Sequence, residues 1–310
     1  MNSPNNEDEV SVVANAIDQP THRRKEPSLL SRLVHDPFAF GSAIFLVLVT
    51  IGALIADVLV QQGILIDPLA QDLLSRNLPP FSTDKMGLHI LGTDQLGRDL
   101  LSRVIFGARI SLAVGVVTVI LSSVIGITLG LMAGYKGGRI DDLIMRLVDI
   151  QMGFPQMLLV LTIIYATGPS VRNVIIVLAV TRWMAMARVT RAVCLSLRKY
   201  PFVEAARSMG ASDLRIVLQH LMPNLVSTLL ILMSLEFGRV MLSEAGLSFL
   251  GMGVQPPQAS WGLMLSQGRG YMTTAWWLVT FPGMAIALTT LSANLLAAWA
   301  RGISDPVYRV

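Results

Sequence analysis

Chemistry in this 310-residue chain is confined to a few polar side chains set within apolar stretches. Glu236 and Arg239 stand at i, i+3 and share one face of any helix that holds them, so they can pair locally. They either mark a polar path through a bundle or neutralise each other and brace it. Arg182 lies eight residues beyond Val174, roughly 12 Å along a helix rising 1.5 Å per residue. A guanidinium at that depth must face other helices or water, where it would attract an anionic group. The alternative is that its stem carries the charge back to the surface that Arg188 marks. Arg146 and Asp149 repeat the i, i+3 spacing nearer a helix end, where bracing is the simpler role.

Other chemistries lack their residues. None of the four lysines (Lys25, Lys85, Lys136, Lys199) follows a glycine, which excludes a phosphate-binding loop. The histidines His22, His35, His89 and His220 show no metal-ligand spacing, and no Gly-x-Ser-x-Gly elbow occurs. Cys194 is the one cysteine and cannot pair within the chain. The 16 methionines are spread widely and read as packing. No catalytic group, metal site or cofactor of the chain's own is therefore expected. Any work it does draws on a partner or an ion gradient.

The elements that must hold these residues are membrane spans. Hydrophobic residues make up 53% of the chain and charged ones 14%, against roughly 25% charged in soluble domains. Mean hydropathy is +0.61. A bilayer core needs roughly 20 apolar residues in helix. Phe38–Val60, Ile110–Met132 and Trp276–Ala300 meet that requirement, with Asp57 as the only charge among them. Leu147–Thr167, Val174–Val189 and Leu225–Leu250 are weaker candidates because each carries charge, and Pro155 sits inside the first of these. The chain thus reads as an all-α integral membrane protein with six transmembrane helices. Most of its 24 Lys and Arg fall on the side of the two termini, which the positive-inside rule makes cytoplasmic. That bias accounts for the sequence pI of about 9.5 without a nucleic-acid partner.

The segments divide as a polar cytoplasmic tail expected to be disordered (1–36), a first span (37–60), and an external loop (61–109). A core of five spans (110–301) and a cytoplasmic C-terminus (302–310) follow. The first span follows too long a polar tail, and is itself too long, to be a cleaved signal peptide. In the external loop, Thr93 or Asp94 is expected to cap a short amphipathic helix through Leu100, Leu101, Val104 and Ile105, resting on the membrane. The alternative is a solvated loop with one amphipathic turn. Within the core, 196–224 forms a cytoplasmic helix–break–helix. Glu204 to Met209 are helix formers, Gly210 permits a left-handed turn, and Ser212 or Asp213 caps a second helix that Pro223 stops. External loop 251–275 has Pro256-Pro257 and several glycines that fix a rigid path, a structured plug or re-entrant element.

Glu204-Ala205-Ala206, with Gly210 and then Pro223, resembles the EAA loop of the membrane subunits of bacterial ABC importers. The general pattern places Ile, any residue and Leu before the proline. Here His220, Leu221 and Met222 stand there, and His220 with Pro223-Asn224 is similar to the peptide branch. Leu91-Gly92-Thr93-Asp94-Gln95-Leu96-Gly97-Arg98-Asp99 through Ser102-Arg103 resembles the external signature of the C-type subunit of oligopeptide, dipeptide and nickel importers. So does Leu247-Ser248-Phe249-Leu250-Gly251 with Gly253-Val254-Gln255-Pro256-Pro257 and Ser260-Trp261-Gly262.

The resemblance covers roughly residues 29–310. It implies a type I ABC importer permease fold in the bacterial cytoplasmic membrane. A homologous second permease, two cytoplasmic ATPase subunits that bind ATP and Mg, and an external solute-binding protein would complete the machine. It also implies that Glu204, Ala205, Ala206, Gly210 and Pro223 couple the spans to an ATPase subunit. Arg182, Glu236 and Arg239 would then belong to the translocation pathway, and Asp94, Arg98, Asp99 and Arg103 to external docking. Di- or oligopeptides are the expected cargo, with glutathione or nickel chelates as alternatives. An ion-driven secondary transporter using Arg182, Glu236 and Arg239, or a structural membrane anchor, are the readings outside this class.

Overall fold

A computed structural model describes residues 29–304. Of the tail expected to be disordered, residues 29–35 form a short helix, α1 (Leu29–His35), with Arg32 and His35 in its last turn, where cations suit the helix dipole. Residues 1–28 and 305–310 lie outside the described residues. The remainder builds one unit from residue 38 onward.

The first span, α2 (Pro37–Gln61), buries only small residues, Ala39, Ser42, Ala53 and Ala56, and exposes Leu48, Leu54 and Val58 among others. Its charge is accounted for by a neighbour: Arg109 pairs with Asp57 Oδ2 at 2.7 Å and donates to the carbonyls of Ala53 and Leu54. An antiparallel hairpin of β1 (Ser82–Asp84) and β2 (Gly87–His89) follows.

The next helix, α3 (Leu100–Lys136), runs for 37 residues. This corrects the expected separate amphipathic helix. Leu100 to Ile105 are the first turns of the second span itself, and Leu100 is buried rather than laid on a membrane surface. The cap is Asp99, whose carboxylate accepts from the Ser102 amide. Helix α3 packs along its length on α6 (Val171–Leu197). Gly126, Gly130 and Gly134, one turn apart, let the backbones approach. A Cβ at 130 would stand 2.6 Å from the Ala187 carbonyl oxygen, and one at 134 would stand 2.8 Å from Cys194 Cβ. Without a hydrophobic force between helices in lipid, such close packing is what associates them.

The third predicted span is broken. Helices α4 (Gly138–Met152) and α5 (Gln156–Thr167) meet at 87°. Pro155, at the head of α5, denies the helix a donor and pushes Phe154 out of helical geometry. Among the described residues there are therefore five long apolar helices, or six spans if the bent pair counts as one.

After α6 comes α7 (Pro201–Ser208), then α8 (Asp213–Phe249), α9 (Trp261–Gly268) and α10 (Trp277–Ser304). Pro223 does not stop the helix begun at Asp213, as the sequence led us to expect. Helix α8 passes through it by widening to π geometry over Ile216–Leu221, which re-spaces the carbonyls behind the proline. The buried core is continuous from Leu100 and Val114 through Val174 and Leu178 to Val240, Leu247, Trp261 and Leu278.

Candidate functional site

Three polar constructions stand out, at the two ends and the middle of the bundle. At the end opposite the hairpin, α7 is a detached surface helix. Tyr200 lies at its N-cap and Pro201 occupies its first turn. Val203 and Ala206 point inward onto Ile216, Leu221 and Leu225, while Glu204, Ala205 and Arg207 are exposed. Gly210 follows at φ +80°, where the amide of Ala211 donates back to Ala206 O at 3.1 Å. Tyr135 Oη at the foot of α3 donates to Asp213 Oδ1 at 2.7 Å, and the Arg207 guanidinium lies against the Tyr135 ring. The structure thus splits the EAA residues. Glu204 and Ala205 are exposed, Ala206 seats the helix on its own chain, Gly210 makes the turn, and Pro223 lies in α8.

In the middle, Arg182 of α6 crosses to α8. Its Nη1 donates to Glu236 Oε2 at 3.0 Å, and its Nη2 to Ser243 Oγ at 2.6 Å and to the Arg239 carbonyl at 3.3 Å. Arg239 Nη1 donates to the other carboxylate oxygen of Glu236 at 2.6 Å. The i, i+3 pair read from the sequence is therefore real but incomplete, because Arg182, 54 positions away, completes it. Arg182 neither snorkels nor stands free. Asp149 likewise pairs across helices with Arg188 at 2.7 Å rather than with Arg146.

At the hairpin end, Asp94, Arg98, Asp99 and Arg103 are buried, each less than 5% exposed. They correct the expectation of an exposed docking patch, since buried charges require paired partners. Asp94 Oδ2 takes Arg98 Nε at 2.7 Å and Arg103 Nη1 at 3.2 Å. Arg103 continues to Gln267 of α9. Asp99 Oδ1 faces His89 Nδ1 at 2.9 Å, and His89 Nε2 lies 3.0 Å from Asp84. Burial works against ionisation of Asp84. Donation from the Met86 amide, with the neighbouring Ser75 and His89, outweighs it and holds the carboxyl below its ordinary value.

Sequence reasoning passed over His89 and Asp84, whose partners are far from any motif spacing. It also passed over Glu244. Glu244 Oε1 accepts from both Ser248 Oγ and Ser260 Oγ at 2.8 Å and so ties α8 to the cap of α9. A Cβ at Gly262 would meet Ala245 Cα at 2.6 Å, and the Trp261 indole donates to Val104 O at 2.8 Å. The segment 251–275, expected to be a structured plug or re-entrant element, holds α9 and is tied by these contacts to α8 and α3. Among the described residues, no cluster of His, Cys, Asp or Glu is arranged to hold a metal ion.

Residues 126–310 match the family described as the binding-protein-dependent transport system inner membrane component. The di/tripeptide transport system permease protein DppC of Pseudomonas aeruginosa is 39% identical over 274 residues, 88% of this chain and 89% of the relative. The dipeptide permease protein DppC of Bacillus subtilis is 37% identical, covering 90% of this chain and 84% of its own. The glutathione transport system permease protein GsiD of Pectobacterium atrosepticum is 42% identical over 70% of this chain and 72% of its own. Among solved structures, an inward-facing form of the MetNI methionine ABC transporter superposes at a TM-score of 0.53. Its identity is 21%, with 66% of this chain and 98% of that chain covered. That likeness concerns the fold alone.

Proposed function

The chain belongs to the family of binding-protein-dependent transport system inner membrane components, multi-pass permeases of the inner membrane. From that premise we propose that it forms half of the path by which di- or oligopeptides cross the membrane in an ATP-driven ABC importer. The cargo reading rests on relatives named for dipeptides and di/tripeptides over most of both chains. A glutathione permease among the relatives favours a second cargo of the same chemical kind, a short peptide with free carboxylates. A homologous second permease supplies the other half of the path. Two cytoplasmic ATPase subunits bind ATP and Mg, and an external solute-binding protein delivers the cargo. Both termini then lie in the cytoplasm with α7, and the hairpin and α9 lie outside.

The observation that carries the reading is α7. It is a short rigid helix, anchored inward by Val203 and Ala206 and bare outward at Glu204 and Ala205. Its turn runs directly into α8, the helix that holds Glu236 and Arg239. A partner that grips α7 moves α8 as a body, which is the rigid-body route to alternating access. An ion-driven carrier would leave α7 without a role, and its would-be coupling carboxylate, Glu236, is already held by two guanidinium groups.

The test uses the one native cysteine to advantage, since Cys194 is buried. In the co-expressed complex, Ala205→Cys is expected to cross-link to an ATPase subunit through a short thiol-reactive bridge, and ATP with vanadate is expected to change the yield. A cross-link absent in every nucleotide state would overturn the assignment.

A further inference from the structure

We propose that Arg239 is the cargo-facing cation of this permease and selects peptides by their C-terminal carboxylate, while Arg182 and Glu236 hold it in place. The inference rests on the peptide reading above and names the group that recognises the cargo.

The argument begins with charge. Two guanidinium groups meet one carboxylate, so the cluster carries a net positive charge inside a span. Among the described residues no second carboxylate lies within ion-pair distance of either arginine. The two arginines are not equivalent. Arg182 is 8% exposed; its Nη groups donate to Glu236, Ser243 and a backbone carbonyl, and its Nε is buried away from any partner among the described residues. The Arg239 side chain is 60% exposed, and only its Nη1 is bonded, to Glu236. Its remaining N–H groups have no partner among the described residues. The surplus charge is therefore presented at Arg239.

Position excludes lipid as its surroundings. Arg239 is 14 residues from Leu225 and 11 from Leu250, roughly 21 and 16 Å along the helix axis. Those distances exceed the reach of an arginine stem towards either end, so an uncompensated guanidinium at this level requires water or an anion. The face immediately around it is apolar, with Leu235 and Leu242 exposed one turn to either side. Such a wall accepts varied side chains, and the one fixed charge reads what every linear peptide shares. A planar guanidinium with free N–H groups matches a carboxylate in bidentate geometry. Glu236, only 3% exposed and gripped from behind by Arg182, orients that fork and tempers the charge so that cargo can leave.

The experiment is uptake by the complete importer in proteoliposomes, at concentrations that saturate the binding protein. Alanyl-phenylalanine and its C-terminal amide are compared for the wild type, Arg239→Gln and Arg239→Lys. The wild type is expected to favour the free acid. Arg239→Gln is expected to lower that acid-to-amide ratio about tenfold, the scale of one lost hydrogen bond to a charged group, and Arg239→Lys to keep most of it. An unchanged ratio in Arg239→Gln would overturn the proposal while leaving the peptide reading intact. So would loss of the second permease from the purified complex, which would place the charge in the subunit contact. A wild type that moves neither peptide would overturn the peptide reading itself, and this inference with it.

Discussion

Adjacent alanines in α7 are expected to respond in opposite ways to the same substitution. Ala206 is 2% exposed and is enclosed by Val203, Ile216 and Leu221 of its own chain, with no basic group bonded there. An aspartate at 206 would bury a carboxylate without a partner, a loss of about 3–5 kcal/mol by comparison with broken buried pairs. An eight-residue helix seated by two inward side chains cannot absorb that, so α7 lifts from the bundle. Ala205, one position earlier, is exposed, and an aspartate there should shift stability by no more than about 0.5 kcal/mol. Its effect falls on the partner. The assay is paired: trypsin cleavage after Lys199 and Arg207 in inside-out vesicles, and retention of the ATPase subunits on purification. Ala206→Asp should speed cleavage in the permease alone. Ala205→Asp should leave cleavage at the wild-type rate but weaken ATPase retention and transport. Equal cleavage of both variants, or full retention with Ala205→Asp, would refute the division of roles.

Three further outcomes follow from the same geometry. Gly210→Pro replaces a residue at φ +80° with one locked near −65°; ATP hydrolysis should lose its dependence on binding protein while the permease still inserts. Gly130→Leu thrusts a side chain at the Ala187 carbonyl and Thr190. It should lower the thermal midpoint of the purified complex by an amount matching about 1–3 kcal/mol or more, and an unchanged midpoint would contradict the α3–α6 packing. Asp84 has a folded pKa below its ordinary 3.8, so the stability it lends is present above that value and lost as pH falls through the lower one. Amide exchange of the β1–β2 hairpin, corrected for intrinsic rate, should rise only below about pH 4, and Asp84→Asn should flatten that rise.

The span pattern was legible because bilayer thickness writes itself into length and hydropathy. Each of the six stretches expected from sequence overlaps one of the five long helices or the bent pair, and Gly210 marked the turn between α7 and α8, whereas Ser212 stands at the N-cap position without a side-chain capping bond. Local signals failed where a long-range demand overrode them. Pro223 reads as a stop, but a π turn carries α8 through it, whereas Pro155 breaks a stretch that hydropathy alone joins. Asp94 looked like a cap and a docking charge because neither Arg103 nor the Arg103–Gln267 contact can be inferred from spacing. The Arg182–Glu236 bridge spans 54 positions, so periodicity within one helix revealed half of it. Ala205 and Ala206 are indistinguishable by residue type; only the packing beneath α7 tells which faces out.

The central claim is that this chain moves peptide by borrowing ATP-driven motion through α7. It is tested most directly by dipeptide accumulation in proteoliposomes that contain this permease, its second permease and the ATPase subunits, with binding protein supplied. The account predicts accumulation that requires ATP and binding protein, stops with vanadate, and is indifferent to a protonophore. Accumulation by this chain alone, driven by an ion gradient and abolished by the protonophore, would contradict it.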